Sequence, residues 1–305
     1  MHVHGHSRSA AWALNLGLAL TFALAAAEFV AGHFGHSLAL VSDGWHNLSD
    51  VPSLALAWFA LRLEGRSPDP QRTYGYGRAG VLAAFVNALF MLAVAAYLCF
   101  EGYQRILRPE RVSTGLMLGV GLLALVVNSA LSFALSGGRS DLNLRAVFIH
   151  NLGDALSNLG IVAGAWLIAR TGERMIDPLL AFLIAGMILW GTLGILSDSV
   201  NILLESAPKG MRLPDLATAM LAVPGVREVH DMHVWSLGSK SHALSCHVRI
   251  LDISTSEAEL IAQRIRDALK EEFGIEHTTI QFEHTHEPGD LHHRYYMPIA
   301  PFTKK

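Results

Sequence analysis

The sequence predicts a membrane all-α bundle of six helices followed by a C-terminal α+β domain. Three observations carry that prediction. The 305 residues are 51% hydrophobic and only 16% charged, with a mean hydropathy of +0.35, whereas soluble domains are about one quarter charged. Six apolar runs reach the ~20 residues that cross a bilayer as helix. After residue 204 the apolar runs stop and alternating strand patterns begin.

The runs fall at about 12–32, 38–61, 79–102, 114–136, 144–170 and 177–200, within a membrane region of 12–204. The first follows Arg8 and ends in "LAAAEF", as a secretory leader does. It is nevertheless long enough to span, and a short "HFGHS" loop leads straight into the next run, so it is expected to be a retained helix. Residues 1–11 form a tail carrying His2, His4 and His6. The domain expected over 205–284 reads αββαβ. "PDLATAMLAV" is a short helix stopped by Pro224-Gly225, and "VREVHDMHVWSL" and "HALSCHVRIL" alternate as strands about a "GSKS" turn. "STSEAELIAQRIRDALKEEF" places Leu260, Ile261, Ile265, Ala268, Leu269 and Phe273 at helical spacing behind a Ser/Thr cap, with Gly274 after it. "HTTIQFEH" is the last strand. The aperiodic, Pro-containing segment 285–305, with His292 and His293, reads as a loose tail.

Six spans put both termini on one side, and basic residues near the membrane ends choose the side. The terminal side holds nine: Arg8, Arg62, Arg66, Arg72, Arg78, Arg139, Arg145, Lys209 and Arg212. The opposite side holds five: Arg105, Arg108, Arg111, Arg170 and Arg174. Both termini are therefore expected in the cytoplasm of a multi-pass protein of a bacterial inner or plasma membrane. A net charge of −3 gives no basis for nucleic-acid binding. The absence of a GxxxxGK[ST] run gives none for a nucleotide-driven pump. Two isolated cysteines, Cys99 and Cys246, make neither a disulfide framework nor a metal knuckle.

Two apolar segments carry charge that lipid disfavours. "DGWHNLSD" holds His46 and Asp50; "FIHNLGD" holds His150 and Asp154. Ionisable residues inside a bilayer are expensive and mark functional sites. A spacing of four sets each imidazole and carboxylate on one helix face. If the second and fifth spans face each other, two nitrogens and two oxygens converge, a tetrahedral set suited to Zn²⁺. Lacking thiolate, it suits Cu(I) less; with two imidazoles, it suits Mg²⁺ and Ca²⁺ less. Cd²⁺, Co²⁺, Fe²⁺ and Mn²⁺ remain compatible. A dication between the two carboxylates relieves their repulsion. Asn47 and Asn151, next to each histidine, are expected to fix ring orientation through hydrogen bonds. Imidazole titrates near pH ~6.5, so protons and metal compete for the same nitrogens. That competition is a physical means of exchanging one for the other across the membrane.

The segments "SLALVSDGWHNLSD", "YGYGRAGVLAAFVNALF", "FIHNLGDALSNLGIVAGAWLI", "DPLLAFLIAGMIL", "ILLESAP", "VHDMHVWSLG" and "TTIQFEH" together resemble the cation diffusion facilitator family in its zinc-transporting branch. The resemblance covers roughly 10–284. It implies a homodimer with a metallochaperone-like cytoplasmic αββαβ domain, metal export against entering protons, and a transport site at His46, Asp50, His150 and Asp154. It further implies a second metal site in the cytoplasmic domain, onto which His230 and His247 map, with Glu283 or His284 from the last strand. In some members the loop between the second and third spans binds metal through Asp and His. Here that loop offers Asp69 without a histidine, Tyr76 standing in its place, so a site there is expected to be weak or absent. A charge interlock between protomers maps onto Arg78 and Glu205.

Other polar residues invite blander readings. The terminal histidines are read as solvated ends, and His33 and His36 as a metal-releasing loop or merely solvated. Glu28, Asp43 and Asp198 line a path or close polar contacts between helices. Asn87, Asn128 and Asn158 are expected as interhelical hydrogen-bonding residues, and Cys246 as a core thiol on the strand face opposite His247. The favoured function is a secondary active exporter of zinc. The alternatives are a membrane metal sensor, and an intramembrane zinc-dependent hydrolase, which would need an open coordination position and a general base. No organic cofactor is expected.

Overall fold

The computed structural model describes residues 5–48, 62–63, 66–135, 142–238, 241–284 and 302–303. Side chains are described within 20–48, 62–63, 66–133, 148, 152–238 and 241–284. The chain forms two compact units, one from residues 1–55 and 86–195, the other from 56–85 and 196–305.

The first unit is helical. Its elements are α1 (Gly5–Phe34), α2 (38–48), most of α3 (Arg78–Leu107), α4 (Thr114–Leu135), α5 (Leu142–Thr171) and most of α6 (Ile176–Leu203). Among the described residues, α3, 114–133 of α4, 152–171 of α5, and α6 are long and apolar enough to cross a membrane. The remainder of the second run, 49–61, lies outside the described residues apart from the helical pair 62–63. α1 starts at Gly5, ahead of the expected residue 12.

Small residues let these helices approach. Ala39, Ala95, Ala165, Ala181 and Ala185 are buried among Leu38, Leu40, Leu98, Met117 and Ile161. Lipid tails are as apolar as leucine, so close backbone packing rather than water exclusion holds such helices together. Gly164 of α5 illustrates this, for a Cβ there would stand 2.2 Å from Leu180 Cδ1 of α6. Trp190, Phe133 and Leu183 are exposed, as lipid-facing residues are. Asn158 Nδ2 donates to the carbonyl of Asp154 in its own helix at 2.9 Å, and among the described residues Oδ1 has no hydrogen-bond partner, where an interhelical bond was expected.

The second unit carries α7 (Leu213–Ala222), β1 (Glu228–Ser236), β2 (His242–Ile250), α8 (Thr255–Phe273), β3 (Ile275–His284) and β4 (Phe302–Thr303). This is the αββαβ order with one strand added. The sheet runs β3-β2-β1-β4; β1 is antiparallel to β2 and β4, and β2 is parallel to β3. The pairing of Glu228 with Thr303 and Val229 with Phe302 differs from the loose tail expected there, because the edge of β1 offers unpaired backbone groups. Residues 285–301 of that tail, with His292 and His293, lie outside the described residues, as do His2 and His4.

Alternation turns Val229, Val234, Leu244, Cys246 and Val248 towards Leu216, Met220, Ile265 and Leu269 of the two helices. α8 is closed at both ends. Ser254 accepts from the Glu257 amide in a reciprocal capping box, and Gly274 adopts φ 67 at the C-terminus. At Asp231 the β1–β2 register shifts between His230 and His233, and Asp231 takes φ 45. Such a bulge re-aims side chains.

Candidate metal sites

α2 and α5 turn polar faces towards one another. His46 Nε2 lies 3.5 Å from Asp154 Oδ1; Asp154 is buried and His46 is half-buried. The histidine of one HNLxD motif thus meets the aspartate of the other. Asp50 lies outside the described residues, and His150 occupies the α5 helix one turn before Asp154 with its side chain undescribed.

Further polar contacts tie these helices. Ser157 Oγ of α5 donates to Asp43 Oδ1 of α2 at 2.9 Å. Asn47 Nδ2 donates to Glu28 Oε2 of α1 at 2.7 Å. The Asn47 amide is thus tied to a carboxylate on α1. Glu28 and Asp43 are fully buried, and each keeps one oxygen without a hydrogen-bond partner among the described residues. Such contacts are interhelical, one of the two readings the sequence left open for these acids. Ser157 carried no sequence signal beyond being a small residue on the Asp154 face.

A second cluster sits on the β-sheet. His230 (β1), His247 (β2) and Glu283 (β3) each place a ligand atom within 4.8 Å of the others. The Glu283 carboxylate bridges the two rings, Oε2 at 3.0 Å from His230 Nε2 and Oε1 at 2.9 Å from His247 Nδ1. Strand order explains the meeting: β2 is central between β1 and β3, His230 pairs with His247, and Glu283 lies two residues beyond the partner of His247. The same alternation turns His284 outward, where it is exposed, so the acidic residue rather than the histidine joins this cluster.

His230 is 1% exposed, and among the described residues neither ring nitrogen makes a well-directed hydrogen bond, although Glu228 Oε1 lies 3.4 Å from Nδ1. Burial holds its imidazole below the ordinary value, against the opposing pull of Glu283. A neutral ring nitrogen with carboxylates beside it is the form a metal needs. Zinc bonds of ~2.1 Å set tetrahedral ligand atoms about 3.4 Å apart, so small shifts, including a lengthening of the two histidine–carboxylate contacts, would let the three grip one ion. Around them Asp231 Oδ2 stands 3.6 Å from His247 Nε2, and its Oδ1 stands 3.1 Å from His233 Nε2. Neither Asp231 nor His233 had been singled out; the "HDMH" spacing was the available signal. Cys246 points into the core, where burial pushes its thiol up to about 12.

The remaining candidates are occupied otherwise. Asp69 accepts from Tyr76 Oη at 2.7 Å and from the amides of Gln71 and Arg72 at 2.8 Å each. The Tyr76 hydroxyl and those amides hold its carboxyl below the usual range. Arg78 Nη2 donates to Glu205 Oε1 at 2.9 Å within the chain, on the surface. Asp198 pairs with Lys209.

A helical membrane unit with a histidine–aspartate contact between spans, joined to a small sheet with a three-ligand cluster, defines a class: multi-pass membrane proteins that handle metal cations. Residues 14–204 match the cation efflux transmembrane domain, and residues 208–285 match the cytoplasmic domain of cation efflux proteins. The chain belongs to the cation efflux family, which is a family of transporters and not of enzymes. It is 36% identical over 283 residues to the metal cation efflux system protein CzcD of Cupriavidus metallidurans, covering 92% of this chain and 89% of that one. It is 34% identical over 271 residues to a cadmium, cobalt and zinc/H(+)-K(+) antiporter of Bacillus subtilis, covering 87% of each. It is 33% identical over 292 residues to the zinc transporter ZitB of Escherichia coli, covering 93% and 92%. Among solved structures, the metal-bound C-terminal domain of the CzcD transporter matches at 36% identity, over 24% of this chain and 99% of that one, with a TM-score of 0.22.

Proposed function

We propose that the protein is a homodimeric secondary active transporter that exports Zn²⁺ from the cytoplasm in exchange for protons. The transport site is His46, Asp50, His150 and Asp154. The observation that carries the reading is the 3.5 Å approach of His46 to Asp154 from two different spans. Two HNLxD faces that meet at one pair bring the other pair within reach, because each histidine and aspartate are a helical turn apart. The ion binds when both imidazoles are neutral and leaves when protons take their nitrogens. No nucleotide enters the cycle. Cd²⁺, Co²⁺, Fe²⁺ and Mn²⁺ fit the same donor set less selectively.

Both termini lie in the cytoplasm, as the basic-residue bias requires. There His230, His247 and Glu283 bind metal as a regulatory ligand. A sensor without transport would keep that cluster and dispense with charged groups between spans, so the buried Asp154 favours the transporter. The test is zinc flux in sealed proteoliposomes under an imposed pH gradient. Asp154→Ala is expected to lower the flux by at least about 100-fold, as loss of a ligand exceeds the 10- to 100-fold effect of removing its supporting partners. Retained flux in that variant would overturn the site.

A further inference from the structure

One fully buried charge has no part in the sites above. Asp177 opens α6, and its carboxylate accepts from Ser37 Oγ at 2.7 Å, the Leu38 amide at 2.7 Å and the Ala39 amide at 3.2 Å. Those amides are among the first donors of α2, which otherwise lack intrahelical partners. Ser37 adds a local cap by accepting from the Leu40 amide at 3.3 Å. Arg105, in the last turn of α3 and 13% exposed, places Nη1 3.4 Å from Asp177 Oδ2 and donates to the carbonyl of His36. A single carboxylate thus joins the starts of α2 and α6 to the end of α3.

A helix is ordinarily capped by the residue just before it. Here a charged cap comes from a helix 139 residues away in sequence, so the bonds fix one span against another. α2 carries His46 about 12 Å along its axis from Leu38, at 1.5 Å per residue. Rotation or sliding of α2 at its start displaces His46 relative to Asp154 directly, since the intervening helix is stiff.

We infer that Asp177, held by Arg105 and aided by Ser37, is a positioning residue that sets the rotation and depth of α2 and thereby the meeting of His46 with Asp154. It carries neither metal nor proton. The inference rests on His46 and Asp154 forming the transport site.

The experiment is steady-state zinc flux of the full chain in proteoliposomes, for wild type, Asp177→Asn, Ser37→Ala, the double variant, Arg105→Gln and Asp154→Ala. Weakened positioning raises KM for zinc, by about tenfold in Asp177→Asn and about threefold in Ser37→Ala, the loss of a charged and a weaker hydrogen bond respectively. The effects in the double variant fall short of their product, and the pH profile in Ser37→Ala stays that of wild type. A merely structural role would reduce the amount of active protein and leave KM alone. Unchanged KM in Ser37→Ala, Arg105→Gln and Asp177→Asn, with Asp154→Ala inactive, overturns this inference and spares the transport site. A shifted pH profile in Asp177→Asn beside a wild-type Ser37→Ala also overturns it, making Asp177 a carrier of the ion or proton. Should Asp177→Asn fail to accumulate, KM in Ser37→Ala and Arg105→Gln decides alone. Flux retained in Asp154→Ala is the separate failure of the site itself.

Discussion

At the scale of residues, the proposed metal chemistry rests on neutral imidazoles beside carboxylates. His230 and His242 are both held below the ordinary histidine range by burial. A histidine whose folded value is depressed binds its proton more readily in the unfolded chain. Metal-free stability of the cytoplasmic domain is therefore full above about pH 6.5 and falls as the pH drops below it. Hydrogen-exchange protection of β1 and β2 in chelator is expected to decrease between pH 7.5 and 5.5, and His242→Gln to reduce that dependence. Cys246 gives a second residue-scale expectation. Its thiol is 2% exposed and pushed up to about 12, so alkylating reagents at neutral pH should leave it unmodified until the domain is unfolded. The residue level was also the most legible in sequence. The repeated HNLxD spacing announced His46 and Asp154, because a charge in an apolar run has few structural excuses. It did not announce Asp177, whose partners Ser37 and Leu38 are 140 and 139 residues away. A cap supplied across the fold leaves no local pattern. The bond of Asn47 to Glu28 was hidden for the same reason, its partner being on another helix.

At the scale of elements, the strands and α8 follow their local signals closely. Ser254 and Glu257 form the capping box that the Ser/Thr start suggested, and Ser254→Ala is expected to cost about 1 kcal/mol of domain stability by denaturant unfolding. Gly225 has φ 100, and a Cβ there would stand 2.5 Å from Ile261 Cδ1. Gly225→Ala combines backbone strain with that clash and should destabilise the domain by about 1–3 kcal/mol. The choice between Glu283 and His284 shows what elements add to sequence. Both residue types are common metal ligands, and alternation alone says only that they face opposite ways. The pairing of β2 with β3 decides that Glu283 faces His247. The bulge at Asp231 was hidden similarly, since a positive φ at a non-glycine residue within "HDMH" has no compositional mark.

At the scale of the whole molecule, two units of different chemistry make up the chain. The membrane unit uses small residues and a few buried polar bonds, as helices in lipid must. The cytoplasmic unit uses an ordinary apolar core and places its ligands at one edge of it. Two sites in two environments should respond differently to mutation. His247→Ala is expected to weaken metal binding to the cytoplasmic domain while leaving the intramembrane site able to bind. Asp154→Ala should do the reverse, and equilibrium metal titration of the two variants checks the separation. The most direct measurement of the central proposal is an anomalous-scattering map of the full protein soaked with zinc. An ion is expected between α2 and α5, bonded to His46, Asp50, His150 and Asp154. A zinc-saturated protein with no ion there, or with α2 and α5 binding it through other residues, would contradict it.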